Sequence, residues 1–338
     1  LLDDVTVFAM KKNDGRDFRI ISRLAEYFKD EKIGVVHSHN WGAWLYSYAA
    51  AKLAGCPIYI HGEHGRDTEN VAEGFAKRVF KILLAMKSKQ FTTVSEDIAQ
   101  LLHTHLLVNR KKIKVIENGI DLDRFYVADK KTAKKAIGFQ SEILIGAVIG
   151  SLRPVKDLPT LFEALAIVKK DYQNWSLAIV GGRLDDSDDE YVRFLKNKIT
   201  DLNLGDNIRF LGPQKKVERY MQAFDIYVNS SVYEGMSNTI LEAMGCGAAV
   251  VATNVGGTPR IVKNQKTGLL VKHKSPGDLS AALLRLFREP DYRKTLSGNG
   301  LDFVNKNHSQ QRFIHQHEQL YKDLIASKQG ARQFSLRT

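Results

Sequence analysis

The sequence has little cysteine: only Cys56 and Cys246 occur in 338 residues. Two thiols are too few for a disulfide framework or a zinc finger. The sequence also lacks an apolar run of the roughly 18–20 residues needed to span a bilayer, and its start shows no basic-then-apolar signal pattern. These absences predict a protein of a reducing compartment, the cytoplasm.

Acidic residues are outnumbered, with 50 lysines and arginines against 38 aspartates and glutamates and a net charge of +12. The excess predicts an acidic partner, and nucleic acid, anionic lipid and a nucleotide diphosphate all satisfy it. A solvated lysine-rich surface is the alternative. No motif interleaves aromatic and basic residues, so nucleic acid is not an expected partner. No G-x-G-x-x-G follows a predicted strand, which argues against an NAD dehydrogenase.

Short apolar runs alternate with segments of helical periodicity along the whole chain. The runs show no polar–apolar alternation, which is typical of parallel strands covered on both faces. The predicted strands are 5–8, 34–37, 58–61, 91–94, 114–116, 143–149, 176–180, 208–211, 226–229, 249–252 and 268–271. The chain is too long for one ordinary core. We therefore predict an α/β protein with two Rossmann-like parallel-sheet domains facing across a cleft.

The charged segment 129–142 contains few apolar residues and precedes a new strand, so we place the domain boundary there. The prediction is an N-terminal domain over 1–137, a C-terminal domain over 138–308, and a helix over 309–338 that crosses back to the first domain before a frayed tail. Ligands of parallel sheets bind beyond the carboxyl ends of the strands. The residues that follow each strand are therefore the candidate site residues.

The stretch SVYEGMSNTILEAMGCG (231–247) places Glu234 and Glu242 eight positions apart, with a turn and a helix start between them. Ser237 or Asn238 is a good N-cap for this helix. A helix N-terminus can bind phosphate with its unpaired N–H groups. Glu242, about one turn inside the helix, could accept hydrogen bonds from a ribose diol, and Glu234 could face the other end of a nucleotide-linked ligand. The alternative is a pair of surface glutamates.

A second group of candidates lies in IGSLRPVKDLPTLFEAL (149–165), where a loop with Arg153 and Lys156 joins a strand to a helix. Asp157 and Pro159 are sound signals for the start of that helix. Two cations beside a helix start would neutralise a diphosphate. A lone loop lysine is usually solvated, but both groups follow strands of the second predicted sheet and so lie at the same edge.

Together these motifs resemble the nucleotide-sugar glycosyltransferases of family 4, which have the GT-B fold. The resemblance runs from about residue 34 to 320. It rests on the E-x7-E of 231–247 and on GSLRPVKD (150–157), ENGIDLDRF (117–125), VATNVGGTPRIV (251–262) and TGLLVKHKSPGDLSAAL (267–283). The segment IHGEHG (60–65) is similar to sugar transferases of bacterial surface and exopolysaccharide assembly.

The resemblance implies a retaining enzyme that moves a hexose from a UDP- or GDP-sugar to a saccharide or lipid-linked acceptor, in surface polysaccharide or glycolipid synthesis, without a metal or other cofactor. By the same resemblance Glu234 contacts the donor sugar, Glu242 binds the ribose and Lys156 neutralises the departing diphosphate, whose oxygen helps to deprotonate the acceptor. The implied donor-binding set further includes Gly150, Ser151, Arg153, Gly235, Met236, Ser237, Asn238 and Thr239.

Two departures from the family pattern stand out. Ser151 replaces the family's arginine after the glycine that ends the first strand of the second domain, and Arg153, two residues on, is the candidate substitute. Residues 1–33 have no counterpart of the family's opening strand, Gly-rich loop and helix, so the first βαβ unit is expected to be missing, through truncation or abridgement. The alternative function is a non-catalytic nucleotide-sugar-binding remnant or interaction protein without a complete acceptor site.

Histidines occur in close pairs, among them His37 with His39 and His61 with His64. A metal site needs three or four converging ligands, and none is expected here. The resemblance assigns one histidine to the cleft, near the donor sugar and acceptor. That residue is predicted to be His64, with His61 as its rival.

The segment 75–91 is an amphipathic helix rich in cations. Its apolar side is formed by Phe75, Val79, Ile82, Leu83 and Met86, and its cations are Lys77, Arg78, Lys81, Lys87 and Lys89. This pattern is typical of an interfacial helix on an anionic membrane, which would make the protein peripheral on the inner face of the cell membrane. A core-facing helix with a solvated basic rim is the alternative.

Overall fold

The computed structural model describes residues 6–11, 17–65, 75–148, 150–182 and 190–335. The chain divides into two compact units. The first unit comprises Leu1–Ile116 and Gln316–Thr338, and the second comprises Glu117–His315.

The first unit contains a parallel sheet whose strands follow one another in chain order, β1-β2-β3-β4. Its elements are α1 (Arg19–Asp30), β1 (Val35–His39), α2 (Asn40–Leu53), β2 (Ile58–Glu63), α3 (Phe75–Lys87), β3 (Gln90–Thr93), α4 (Glu96–His105) and β4 (Ile113–Val115). The predicted strand 5–8 is not formed over residues 6–8, and Val5 lies outside the described residues.

The second unit contains a six-stranded parallel sheet in the order β10-β9-β8-β5-β6-β7. Its strands are β5 (Ile143–Val148), β6 (Trp175–Val180), β7 (Ile208–Phe210), β8 (Ile226–Asn229), β9 (Ala249–Thr253) and β10 (Leu269–Val271). Its helices are α5 (Lys130–Ala136), α6 (Leu158–Asp171), α7 (Glu190–Asp201), α8 (Val217–Met221), α9 (Asn238–Gly245), α10 (Thr258–Ile261), α11 (Pro276–Arg288), α12 (Pro290–Asn307) and the start of α13 (Gln310–Ser335). The strand order reverses between β5 and β8.

Unbroken apolar runs explain the second sheet. Every residue of β8 and β9 is buried, as expected when helices cover both faces of a parallel sheet. Leu161 and Leu165 of α6 and Leu283 of α11 are fully buried in the same apolar cluster as residues of these strands. Gly146 of β5 allows especially close packing, because an added Cβ would lie 2.1 Å from the ring of Phe224. The predicted fold class, two parallel-sheet α/β domains, is confirmed.

The lysine-rich segment after Asp129 is not a linker between the units. The division falls after Ile116, so the predicted boundary at 137–138 lies inside the second unit. Lys134 of α5 is 9% exposed and its Nζ lies 2.6 Å from Asp225 Oδ2. Lys130 Nζ donates to the carbonyls of Phe224 and Cys246 at 2.7 and 2.9 Å. These lysines bind α5 to the second unit, which a count of charged residues could not show.

Two passes of the chain pair with each other inside the second unit. Ile120 N–H donates to the carbonyl of His308, and Gln310 N–H donates to the carbonyl of Ile120, at 2.8 and 2.9 Å. Gly119 permits this approach, because a Cβ there would lie 2.5 Å from the carbonyl oxygen of Ser309. From Gln316 onward α13 belongs to the first unit, where Tyr321 contacts His37.

Candidate active site

The two candidate loops of the second unit follow adjacent strands. β5 and β8 are neighbours at the reversal of strand order, which in doubly wound sheets is where a crevice opens for ligands. The loops after them are tied together: Val232 N–H donates to the carbonyl of Val155 at 2.9 Å, and Ser230 Oγ donates to the carbonyl of Lys156 at 2.8 Å. The structure therefore brings Lys156 and Glu234 together.

Glu234 and Lys156 form an ion pair, with Nζ 2.7 Å from Oε1. Their side chains are 13% and 27% exposed, respectively, so water screens the pair only in part. Ser231 Oγ and Asn229 Nδ2 also donate to Oε1, at 2.8 and 3.3 Å. Within the described part of the chain, no donor lies within hydrogen-bond distance of Oε2. The carboxylate is held in one orientation with one oxygen available.

The backbone of Glu234 is fixed from the opposite side by the loop after β9. Gly257 N–H donates to the carbonyl of Glu234 at 3.0 Å. Gly256 has φ +50°, and a Cβ there would lie 1.9 Å from the same carbonyl oxygen. Only glycine fits this position, because the backbone conformation and the close approach both exclude a side chain.

Helix α9 begins directly after the loop that carries Glu234. Ser237 is its N-cap, but the Ser237 side chain does not cap a backbone N–H of the helix. Ser237 Oγ instead lies 3.0 Å from Thr239 Oγ1, which accepts a hydrogen bond from the buried Tyr227 hydroxyl at 2.7 Å. Asn238, the first residue of the helix, accepts a hydrogen bond from Asn118. Side chains thus fix the first turn of α9 without occupying its N–H groups.

Glu242, in the middle of α9, is half-buried. Burial raises the pKa of this carboxyl to about 7; nearby Arg124 opposes the shift and Glu218 adds to it. Arg124 donates from Nε and Nη2 to Glu218 Oε2 at 3.0 and 2.8 Å. Glu242 therefore shares its surroundings with a cation that is already paired, and a hydroxyl-rich ligand could supply the missing donors.

The other candidate residues of the first loop, Gly150, Ser151 and Arg153, are exposed. Ser151 and Arg153 are on the surface, and Arg153 precedes the short 3-10 turn of Pro154–Lys156 with extended backbone angles (φ −130°, ψ 149°). A Cβ at Gly150 would meet no atom within 4 Å. Gly235 and Met236 lie on the buried part of the Glu234 loop.

The two rival histidines occupy different environments in the first unit. His61 is fully buried and stacked on Trp44, with ring centroids 4.1 Å apart. His64 is partly exposed, and its Nε2 lies 2.7 Å from His39 Nδ1. Of the two, His64 is the one that solvent reaches.

His39 and Asn118 are residues near the candidate sites to which the sequence assigned no role. His39 ends strand β1 and pairs with His64, and the only sequence signal was its place after a strand. Asn118 lies in the ENGIDLDRF motif and reaches the start of α9. Among the described residues, no group of three or more histidines, cysteines or acidic residues is placed to hold a metal ion.

Comparisons with known proteins agree with this architecture. The family model for glycosyl transferases group 1 matches residues 129–302, and the model for glycosyltransferase family 4 matches residues 4–124. The chain therefore belongs to the glycosyl transferases group 1 family, and the family 4 match runs from the first unit into the start of the second. It is a glycosyltransferase of the GT-B fold.

Relatives are found among enzymes and solved structures. The Escherichia coli UDP-Gal:alpha-D-GlcNAc-diphosphoundecaprenol alpha-1,3-galactosyltransferase is 28% identical over 322 residues, 93% of this chain and 81% of that protein. A glycosyltransferase from Rickettsia africae matches with TM-score 0.82 and 22% identity over 96% of this chain and 86% of its own. Anabaena HepE in complex with UDP matches with TM-score 0.79 and 20% identity over 90% and 82%. The two structures support the fold.

Proposed function

We propose that this enzyme transfers a hexose, with retention of configuration, from a UDP- or GDP-sugar to a saccharide or lipid-linked acceptor in surface polysaccharide or glycolipid synthesis. The observation that carries the proposal is the Lys156–Glu234 pair beside the uncapped first turn of α9, at the point where the strand order reverses. This arrangement offers a cation and free N–H groups to a diphosphate, and a fixed carboxylate to a sugar.

Each group has a separate task in the proposed reaction. The bond between the anomeric carbon and the diphosphate oxygen breaks while the acceptor oxygen bonds to the same carbon, and the departing phosphate oxygen takes up the acceptor's proton. Lys156 and the α9 N–H groups stabilise the negative charge that grows on the diphosphate. Glu234 holds sugar hydroxyls through Oε2, and Glu242 accepts hydrogen bonds from the ribose diol. The donor-binding set includes Gly150, Ser151, Arg153, Gly235, Met236, Ser237, Asn238 and Thr239. His64 contacts the sugar or acceptor.

The relatives favour a particular choice of substrates. The E. coli relative is named for a UDP-galactose donor and a diphosphoundecaprenol acceptor, and HepE binds UDP. These names support a UDP-sugar over a GDP-sugar, and a lipid-linked acceptor over a free saccharide. Both cysteines are free, which fits a reducing compartment, and we place the enzyme in the cytoplasm.

Nucleotide binding tests the donor site. UDP and GDP are titrated against the wild-type protein and the Glu242→Ala variant by calorimetry. We expect one nucleotide to bind the wild type and to lose at least tenfold in affinity in the variant. Incubation with UDP-sugars then separates transfer or donor hydrolysis from the non-catalytic alternative, which predicts binding without turnover. If neither UDP nor GDP binds at millimolar concentration, the proposal is refuted.

We also propose that transfer needs no metal, because Lys156 and the α9 N–H groups supply the positive charge. Turnover should be unchanged by EDTA, with the same enzyme in added Mg²⁺ as the reference. If EDTA lowers turnover more than tenfold and added Mg²⁺ restores it, the proposal that transfer needs no metal is contradicted.

We further propose that α3 rests on an anionic membrane. Val79, Phe80, Leu83 and Met86 are 38%, 40%, 53% and 67% exposed and follow one stripe of the helix. Leu84 and Ala85 are buried among the described side chains of α3. The face of the helix that packs on the core is therefore different from the exposed apolar stripe. Phe75 and Lys77 lie among residues whose side chains are outside the description.

Two cations of α3 have contacts within the first unit, whereas Lys87, at the end of α3, and Lys89, just after it, are exposed. Arg78 Nε donates to the carbonyl of His105, and Lys81 lies 4.1 Å over the Trp41 ring. Lys87 and Lys89 are exposed at the end of the stripe, where they could meet lipid phosphates. No helix in the described part of the chain is long and apolar enough to cross a membrane.

Vesicle sedimentation tests this surface. We expect binding to vesicles with 30% phosphatidylglycerol, little binding to pure phosphatidylcholine, and loss of binding in the double variant Leu83→Ser with Met86→Ser. Leu53→Ser is the matched control, because Leu53 is 61% exposed on α2, outside the stripe. Equal binding by both variants would contradict the proposal.

A further inference from the structure

Asn118 connects the segment after β4 to the donor loop of the second unit. Its Nδ2 donates to Asn238 Oδ1 at 2.7 Å, and its backbone N–H donates to Met236 Sδ at 3.2 Å. Met236 and Asn238 lie on either side of Ser237, the N-cap of α9. One residue thus holds both ends of the turn that leads into the helix.

The backbone of Asn118 is itself fixed. Its carbonyl accepts a hydrogen bond from His308 Nδ1 at 3.0 Å, and the ring of His308 is 1% exposed. The next residue, Gly119, lies against Ser309, and Ile120 pairs with His308 and Gln310. Asn118 is therefore rigid at its backbone, and its side chain transmits that rigidity to Asn238.

Glu117, the residue before Asn118, forms a contact with helix α10. Glu117 Oε1 accepts a hydrogen bond from Arg260 Nε at 2.9 Å, and Arg260 lies on α10, just after the Gly256–Gly257 turn that fixes the backbone of Glu234. The segment 117–120 thus contacts both the loop that leads into α9 and helix α10, which follows the Gly256–Gly257 turn.

We propose that Asn118 is a positioning residue of the donor site, which orients Met236, Asn238 and the first N–H groups of α9 toward the diphosphate. This inference rests on the proposed function, because it takes α9 to be the diphosphate-binding helix. Asn118 need not touch the ligand. Its loss should weaken binding of the diphosphate while leaving recognition of the nucleoside, on the Glu242 side of α9, intact.

The test compares a diphosphate with its nucleoside. UDP and uridine, or GDP and guanosine if GDP is the nucleotide that binds, are titrated against wild type, Asn118→Ala, Asn238→Ala and the double variant. Loss of one neutral hydrogen bond should lower the affinity for the nucleotide diphosphate about 3- to 10-fold. The affinity for the nucleoside should stay within about twofold of the wild-type value. Both single variants break the same bond, and Asn238→Ala also removes a residue of the proposed donor-binding set. The double variant should therefore bind no more weakly than Asn238→Ala.

Two further variants separate positioning from loss of structure. Met236→Leu keeps the volume but removes the sulfur acceptor, and we expect a smaller loss of diphosphate affinity in the same direction. Asn299→Ala is the matched control, since Asn299 is an exposed asparagine that donates to the carbonyl of Lys266 away from the donor loop. Far-UV circular dichroism of each variant verifies the fold.

The outcomes are distinguishable. Unchanged diphosphate affinity in Asn118→Ala, equal loss for nucleoside and diphosphate, or multiplicative effects in the double variant would each overturn the inference and leave the proposed function standing. A wild type that binds neither UDP nor GDP would overturn both.

Discussion

Glu242 is a carboxyl whose burial opposes its ionisation. Burial raises its pKa to about 7 from an ordinary value of 4.5. The folded state therefore takes up a proton that the unfolded state does not, between about pH 4.5 and 7, and the stability that this proton contributes is lost as pH rises through 7. A ligand diol that donates hydrogen bonds to the ionised form would compensate for the cost.

Glu242→Gln should accordingly stabilise the protein without ligand, and more so at high pH. We expect a higher melting temperature at pH 8 and little change at pH 5, with a gain on the order of 1–3 kcal/mol in unfolding free energy at the higher pH. Differential scanning calorimetry at both pH values measures it. Glu26→Gln, at an exposed position of α1, is the control, and equal gains at both pH values would contradict the explanation.

The loop after β9 is a connecting element whose shape depends on one glycine. Gly256→Ala should lower the free energy of unfolding by more than about 2 kcal/mol, because the new Cβ overlaps the carbonyl of Glu234 and the backbone has positive φ. Urea unfolding measures the change. Gly277→Ala is the matched control: this position of α11 has no atom within 4 Å of an added Cβ, so alanine should be neutral or stabilising by up to about 1 kcal/mol. A mild effect at Gly256 would show that the loop can move away.

Regular elements were the most predictable part of the molecule. Buried parallel strands such as β8 and β9 appear in the sequence as continuous apolar runs, and the predicted 226–229 matches β8 at both ends. Lys134 shows the limit: a lysine-rich segment predicted a boundary, but the ion pair with Asp225 depends on a residue 91 positions away that no local pattern indicates. The same reason hid Asn118, whose partner Asn238 is distant in sequence. Burial of His61 likewise depends on Trp44 of another element.

At the scale of the whole molecule, the two units should respond differently to acid. Burial, together with neighbouring histidines, lowers the pKa of His37 to about 3 and of His39 to about 4. His37 faces Tyr321 and Thr92, and His61, His64 and His317 add like charge when protonated. Because the folded pKa values lie below 6.5, the stability these residues contribute is complete above pH 6.5 and is lost as pH falls from there toward 4 and 3. All of these groups belong to the first unit.

Calorimetry should therefore resolve the units on acidification. Between pH 7.5 and 5 we expect one thermal transition to fall in temperature more than the other, and His37→Gln to reduce that difference. His273→Gln, an exposed site of the second unit, should not. Parallel shifts of a single transition at both pH values would contradict the assignment.

The Lys156–Glu234 ion pair has a consequence for product release. Without ligand the lysine already has an anionic partner, so a nucleotide diphosphate bound as we propose would compete with Glu234 for the ammonium group. Once the sugar has left, the carboxylate can reclaim the lysine and speed departure of the product. Glu234→Gln should therefore bind the nucleotide diphosphate about 3- to 10-fold more tightly, through slower dissociation, while binding the nucleotide sugar less well. Stopped-flow displacement measures both. Faster dissociation of the product in this variant would show that Glu234 does not compete. In this enzyme the same carboxylate would orient the sugar before transfer and would determine how fast the nucleotide diphosphate dissociates after it.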